Sequence, residues 1–133
     1  MAADVAVPAK PHVLVVDDYA DAAELLAEAL SFAGYPVSTA GDGLAALEAF
    51  EGKGDAAPAA AFIDIGMPGM NGYEVAGALR KLPGGSALYL VALTGHSGEA
   101  ERRRSVEAGF DLHLVKPVDL AEVAQLLEQR FKS

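Results

Sequence analysis

The sequence predicts a doubly wound α/β sandwich with a mostly parallel sheet, and three observations carry that prediction. Short, wholly apolar runs rich in β-branched residues recur along the 133-residue chain, as expected of strands buried on both faces. Segments with apolar residues at helical spacing separate them. The two kinds alternate five times, and right-handed crossovers between parallel strands put such helices on both faces of a sheet.

Each element follows in order. Residues 1–11 are rich in Ala and Pro without periodicity and read as a flexible N-terminal arm. Structure is expected from His12, so that residues 12–133 form one domain. Four apolar residues over 13–16, three of them β-branched, predict the first strand. The helix over 20–33 places Ala23, Leu26, Ala27 and Leu30 on one face, and Gly34 stops it. A strand over 37–40, a helix over 44–50 and a loop over 52–58 lead to an apolar run over 59–65 that only Asp64 interrupts. Further on, the pattern predicts a helix over 71–82, a strand over 88–93, a helix over 99–108 closed by Gly109, and a strand over 112–115. The last helix opens with Asp119 and Glu122, spaced as a capping box in which Asp stands in for Ser or Thr, and runs to Phe131.

Composition narrows the function. Hydrophobic residues at 52% and charged residues at 22% are those of a folding domain. There is no cysteine, so disulfides and thiolate metal sites are excluded, and a cytoplasmic location is the default expectation. No apolar run approaches the roughly 20 residues that span a bilayer. A formal charge of −9 repels nucleic-acid phosphates, so direct binding to nucleic acid is not expected.

In sheets of this kind ligands bind at the carboxyl ends of the strands. There the first strand ends in Asp17 and Asp18, the third in Asp64, the fourth in Thr94 and the fifth in Lys116. An acid at a strand end is often only a helix cap or turn former. Three carboxylates on one edge, however, would repel one another unless a cation lay between them, and all-oxygen surroundings favour Mg²⁺. Lys116 could neutralise a bound phosphoryl group, Thr94 could donate a hydrogen bond to it, and an Asp carboxylate can be the nucleophile that forms an aspartyl phosphate. Phosphoryl transfer asks little more than such positioning and charge stabilisation.

The segments VLVVDD, AFIDIGMPGMNGYEV, VALTG and LVKP, in this order and spacing, resemble response-regulator receiver domains of two-component signalling, and the likeness covers nearly all of residues 12–131. It implies a flavodoxin-like (βα)5 fold with strand order 2-1-3-4-5. It also implies that Asp64 takes a phosphoryl group from a histidine kinase or histidine phosphotransfer protein. Mg²⁺ would be held by Asp18, Asp64 and the Gly66 carbonyl, with Asp17 acting through water. Thr94 and Lys116 would hold the phosphoryl oxygens, the Lys116-Pro117 bond would be cis, and Met67-Pro68-Gly69 would form the loop after the acceptor. The implied output is altered binding of a downstream protein in a phosphorelay, by a monomer or weak dimer that is not an enzyme beyond its own phosphorylation and dephosphorylation. Some segments are similar to receivers fused to hybrid histidine kinases.

Two departures from the family's habit stand out. His113 stands where a Tyr or Phe usually reports phosphorylation outward, and histidine is the side chain that changes charge in the physiological range, so a pH-dependent response is expected. Gly66 and His96 occupy variable positions that tune attack of water on the phosphoryl group. The run Arg102-Arg103-Arg104 reads equally as a solvated face or a docking patch. A Mg-dependent phosphatase with an Asp nucleophile is the rival reading; it would want a second acid two residues on, where Gly66 has no side chain. The residues after Lys116 suffice for one helix, so the chain is expected to be a stand-alone regulator or a piece of a larger protein.

Overall fold

The computed structural model describes residues 10–95 and 98–131. Within them the elements are β1 (Val13–Val16), α1 (Ala20–Phe32), β2 (Val37–Ala40), α2 (Gly43–Phe50), β3 (Ala60–Asp64), α3 (Gly72–Lys81), β4 (Tyr89–Thr94), α4 (Glu99–Ala108), β5 (Leu112–Val115) and α5 (Leu120–Arg130). All strand pairs are parallel and the order is β2-β1-β3-β4-β5, as the resemblance implies. Expected and observed elements agree to within a residue or two at their ends.

The period-2 geometry of the strands divides the core in two. Leu14, Val16, Ala61, Ile63, Leu90 and Ala92 face the layer that holds Ala46 and Phe50 of α2 and Val75 and Leu79 of α3. Val13, Val15, Phe62, Val91 and Leu93 face Leu26 and Leu30 of α1 and Val123 and Leu127 of α5. Because both faces are covered, β1, β3 and β4 are buried throughout, which is why the sequence shows unbroken apolar runs there instead of alternation. The expected arm lies outside the described residues up to residue 9; Lys10, near its end, donates to the Ala33 carbonyl at 2.8 Å and lies over the Tyr35 ring.

Helix starts correct one detail. The Asp119 carboxylate accepts from the amide of Ala121, and no reciprocal bond from Glu122 accompanies it, so α5 has a simple cap. The full capping box is at α3, where Asn71 accepts from the Glu74 amide and Glu74 accepts from the Asn71 amide, both at 3.0 Å. Asp119 takes its bond from the amide two residues on, an Asx-type turn, where a capping box uses the third.

Gly72 positions the site. A Cβ there would lie 2.7 Å from both the Asp64 carbonyl oxygen and the Ile65 Cα, so only glycine lets α3 start against the end of β3. Gly77, in the same helix, has nothing within 4 Å of a built Cβ. Urea denaturation should therefore show Gly72→Ala losing about 1–3 kcal/mol through overpacking. Gly77→Ala should gain about 0.5–1 kcal/mol from reduced chain entropy. A neutral Gly72→Ala would show that α3 shifts freely.

Candidate functional site

The polar strand ends meet at one edge of the sheet. Asp17, Asp64 and Thr94 are buried there and Asp18 is exposed. Carboxylate oxygens of Asp17, Asp18 and Asp64 all lie within 4.8 Å of one another. Lys116, 52 residues beyond Asp64, donates to Asp64 Oδ1 at 2.9 Å, while its backbone amide donates to the Thr94 carbonyl at 2.7 Å. The Lys116-Pro117 bond is cis.

The same local device orients both buried acids. The amide of Tyr19 donates to Asp17 Oδ1 at 3.0 Å, and that of Gly66 donates to Asp64 Oδ1 at 3.1 Å, each bond spanning two residues. Asp64 Oδ1 thus collects one amide and one ammonium. Burial raises the Asp17 carboxyl above the ordinary carboxylate range; the Tyr19 amide opposes this, the Asp64 charge adds to it, and Lys116 draws it down. Among the described residues one cation meets three carboxylates, which leaves the cluster short of positive charge. Its donors are all oxygens and all hard, so the residues present fit Mg²⁺.

Other expected positions fall around this cluster. A Cβ built on Gly66 would have Asp64 Oδ1 as its nearest neighbour, at 3.7 Å, so glycine leaves the approach to that oxygen open. Met67 is buried in the α2–α3 layer and Gly69 takes a positive φ of 73°, so Met67-Pro68-Gly69 forms a turn anchored by the methionine. His96 lies outside the described residues. His113 pairs in register with Ala92 on β4, well inside the strand. Its Nδ1 is 3.4 Å from Ser105 Oγ, and its Nε2 is buried without a hydrogen-bond partner among the described residues. Arg104 is folded back over the Tyr73 ring at 4.4 Å, so the arginine run is not wholly a free solvated face.

Sequence reasoning passed over two contributors. The Tyr19 amide was legible in principle, since an Asp at a strand end favours a bond to the amide two residues on. A groove of about 500 Å³ between α1 and α5, with Tyr19, Leu25, Pro117 and Val118 in its walls and Asp17 and Lys116 at its end, was not, because it joins segments far apart in the chain. Among the described residues no helix is long and apolar enough to cross a membrane.

Comparison with known proteins agrees with this geometry. The response regulator receiver domain family matches residues 13–128. An uncharacterised 14.6 kDa protein of Leptolyngbya boryana is 36% identical over 121 residues, covering 91% of this chain and 90% of the relative. The transcriptional regulatory protein PrrA of Mycobacterium leprae is 39% identical over 113 residues, 85% of this chain, which spans about half (46%) of that longer protein. Among solved structures, the receiver domain of sensor histidine kinase PA1611 from Pseudomonas aeruginosa PAO1 superposes with a TM-score of 0.82 at 26% identity, covering 94% of this chain and 100% of that one; a magnesium ion is coordinated in its active site cleft. The order of the strands, the acid cluster at their ends and a family match over nearly the whole fold lead to one conclusion: the chain belongs to the receiver domain family of two-component response regulators.

Proposed function

We propose that this receiver domain works by accepting a phosphoryl group on Asp64 from a histidine kinase or histidine phosphotransfer protein. The observation that carries the reading is the convergence on Asp64 Oδ1 of the Gly66 amide and the Lys116 ammonium, inside a cluster of three carboxylates. In the transfer the donor's bond to phosphorus breaks as a carboxylate oxygen of Asp64 bonds to phosphorus, the bonding electrons leaving with the donor group. Lys116 then exchanges its contact with Asp64 for the phosphoryl oxygens, and the Thr94 hydroxyl donates to them. Asp18, Asp64 and the Gly66 carbonyl, with Asp17 through water, are the groups to hold Mg²⁺. When bound, the ion offsets the negative charge shared by the cluster and the phosphoryl oxygens.

Thr94 and His113 form the switch in this reading. Both belong to neighbouring strands, with Thr94 opposite Val115 and Ala92 opposite His113, so they face the same side of the sheet. An imidazole with a buried, unpartnered nitrogen gains from any reorientation that satisfies it. The bare Gly66 and His96 set how fast water removes the phosphoryl group. The output is altered binding of a downstream protein by a cytoplasmic monomer or weak dimer, residues 12–133 acting as the switching domain and residues 1–11 as an arm.

Three outcomes test this reading. Acetyl phosphate with Mg²⁺ should add one phosphoryl group to the protein by mass spectrometry, and Asp64→Asn or excess EDTA should reduce it to background; undiminished labelling of Asp64→Asn would remove Asp64 as acceptor. The raised Asp17 carboxyl binds a proton more tightly in the fold than in the unfolded chain, so its contribution to stability declines as pH rises from the ordinary carboxylate range through the raised value. Metal-free Asp17→Asn should lack that decline and unfold at higher urea than the parent at pH 7, yet gain less from added Mg²⁺; a lower midpoint would contradict a strained carboxylate. Ring signals of His113 should move in NMR spectra when beryllofluoride and Mg²⁺ are added, whereas a motionless ring would take it out of the switch.

A further inference from the structure

The residue that opens a helix is usually Ser, Thr, Asp or Asn, because its side chain can accept from an amide of the first turn that has no partner in the helix. Tyr19 holds that position for the 13-residue α1, and its side chain makes no such bond. Only its backbone takes part. The Tyr19 carbonyl accepts from the amides of Ala22 and Ala23, both at 3.1 Å, and its amide donates to Asp17 Oδ1 at 3.0 Å. By contrast α2, α3 and α5 are each capped by a polar side chain, from Asp42, Asn71 and Asp119. A local rule broken with no gain to the fold is characteristic of a functional position.

Burial does not compensate for the missing cap. Tyr19 is 64% exposed, whereas an aromatic side chain stabilises a fold chiefly through the area it removes from water. It lines the groove between α1 and α5 together with Leu25, Pro117 and Val118, and it is the one aromatic residue among the described residues that line it. Asp17 and Lys116 belong to the same groove. Lys116 donates to Asp64 Oδ1 at 2.9 Å, and Asp17 has an oxygen within 4.8 Å of one of Asp64. Tyr19 is thus tied through its amide to one acid of the cluster, in a groove shared with the lysine that pairs with another.

Phosphoryl transfer fixes where a donor must lie. Attack is in line, so the leaving group stands on the far side of phosphorus from the Asp64 oxygen, outside the sheet edge and among the residues that rim it. With a histidine donor that leaving group is a flat imidazole. We propose that Tyr19 is a specificity-determining residue for the phosphoryl donor, its ring and Pro117 forming the surface on which the imidazole lies. The inference rests on the acceptor role of Asp64 and adds to it the class of leaving group the site prefers. As the bond from the Asp64 oxygen to phosphorus forms, the phosphorus–nitrogen bond breaks. Its electron pair leaves on that nitrogen, and the proton on the other ring nitrogen makes the departing imidazole neutral. An acyl phosphate such as acetyl phosphate has no ring to set against Tyr19, whereas an aromatic pair contributes about two- to tenfold in affinity.

Labelling of the full chain in Mg²⁺ by phosphoimidazole and by acetyl phosphate tests the assignment, read as the ratio of the two second-order rate constants. In Tyr19→Asn the ratio of phosphoimidazole to acetyl phosphate should fall about fivefold. The same variant should unfold at higher urea than the parent, since asparagine supplies the missing cap. A merely structural role would move stability and both rates together and leave the ratio where it was. Tyr19→Leu, apolar but without a ring, should lower the ratio as Tyr19→Asn does, and Tyr19→Phe should keep it. An unchanged ratio in Tyr19→Asn or Tyr19→Leu, or an equal fall in Tyr19→Phe, would overturn the proposal. A lower urea midpoint for Tyr19→Asn would show that the ring serves the fold and would count against it equally. The two readings separate cleanly: if neither donor labels Asp64 of the parent, the acceptor role fails and the proposal with it, whereas labelling by both donors with an unchanged ratio removes Tyr19 alone.

Discussion

Three carboxylates with oxygens inside 4.8 Å of one another repel strongly wherever water is excluded, and Asp17 and Asp64 are both buried. The fold keeps them together because other parts of the structure offset that repulsion. Asp17 is aligned by the Tyr19 amide, Asp64 by the Gly66 amide, and Lys116 brings a full positive charge. The Asp17 carboxyl is held above its ordinary range chiefly by burial, with the Asp64 charge adding to it. A cluster of oxygens left short of positive charge favours a hard cation among them.

The parallel sheet makes this concentration of charge possible. Strands that all run the same way deliver their ends to one edge, so β1, β3, β4 and β5 each place a polar group there while their apolar bodies stay between helices. Gly72 contributes by letting α3 begin against the backbone of Asp64 and Ile65, which holds the end of β3 in place. Apolar burial and polar groups are separated along each strand. The apolar residues hold the sheet, and the polar groups stand at the strand ends.

Away from that edge the two faces differ in how firmly their helices are held. On one, α1 and α5 bury Leu26, Leu30, Val123 and Leu127 against Phe62 and Val91. On the other, α2 and α3 pack closely, whereas α4 rests on Ser105, the Arg104–Tyr73 contact and the bond from Arg80 to the Gly109 carbonyl at its end. Tyr73 also meets Phe110 edge-on at 6.5 Å between ring centres, so what holds α4 is aromatic and polar rather than a broad apolar face. Low apolar burial is the physical condition for an element to move without unfolding the rest.

The sequence alone was sufficient for the parts that depend on near neighbours. Strands appear as apolar runs because both their faces are covered, helices as 3.6-residue periodicity, and chain stops as Gly34 and Gly109, each of which has a positive φ. The polar ends of those runs, Asp17, Asp18, Asp64, Thr94 and Lys116, were legible for the same reason: a charge that interrupts a buried strand must lie at its edge. Caps were read less well. The box expected at Asp119 and Glu122 formed instead at Asn71 and Glu74: Asn71 accepts from the amide three residues on, Asp119 from the amide two residues on. Tertiary structure decided what no spacing encodes: the 2.9 Å bond between Asp64 and Lys116, the burial of Asp17 beside an exposed Asp18, and the reach of Arg80 to the carbonyl of Gly109. Hydrogen bonds within about four residues follow from backbone geometry, but contacts across 29 or 52 residues exist only once the crossovers have closed and the strands have found their order.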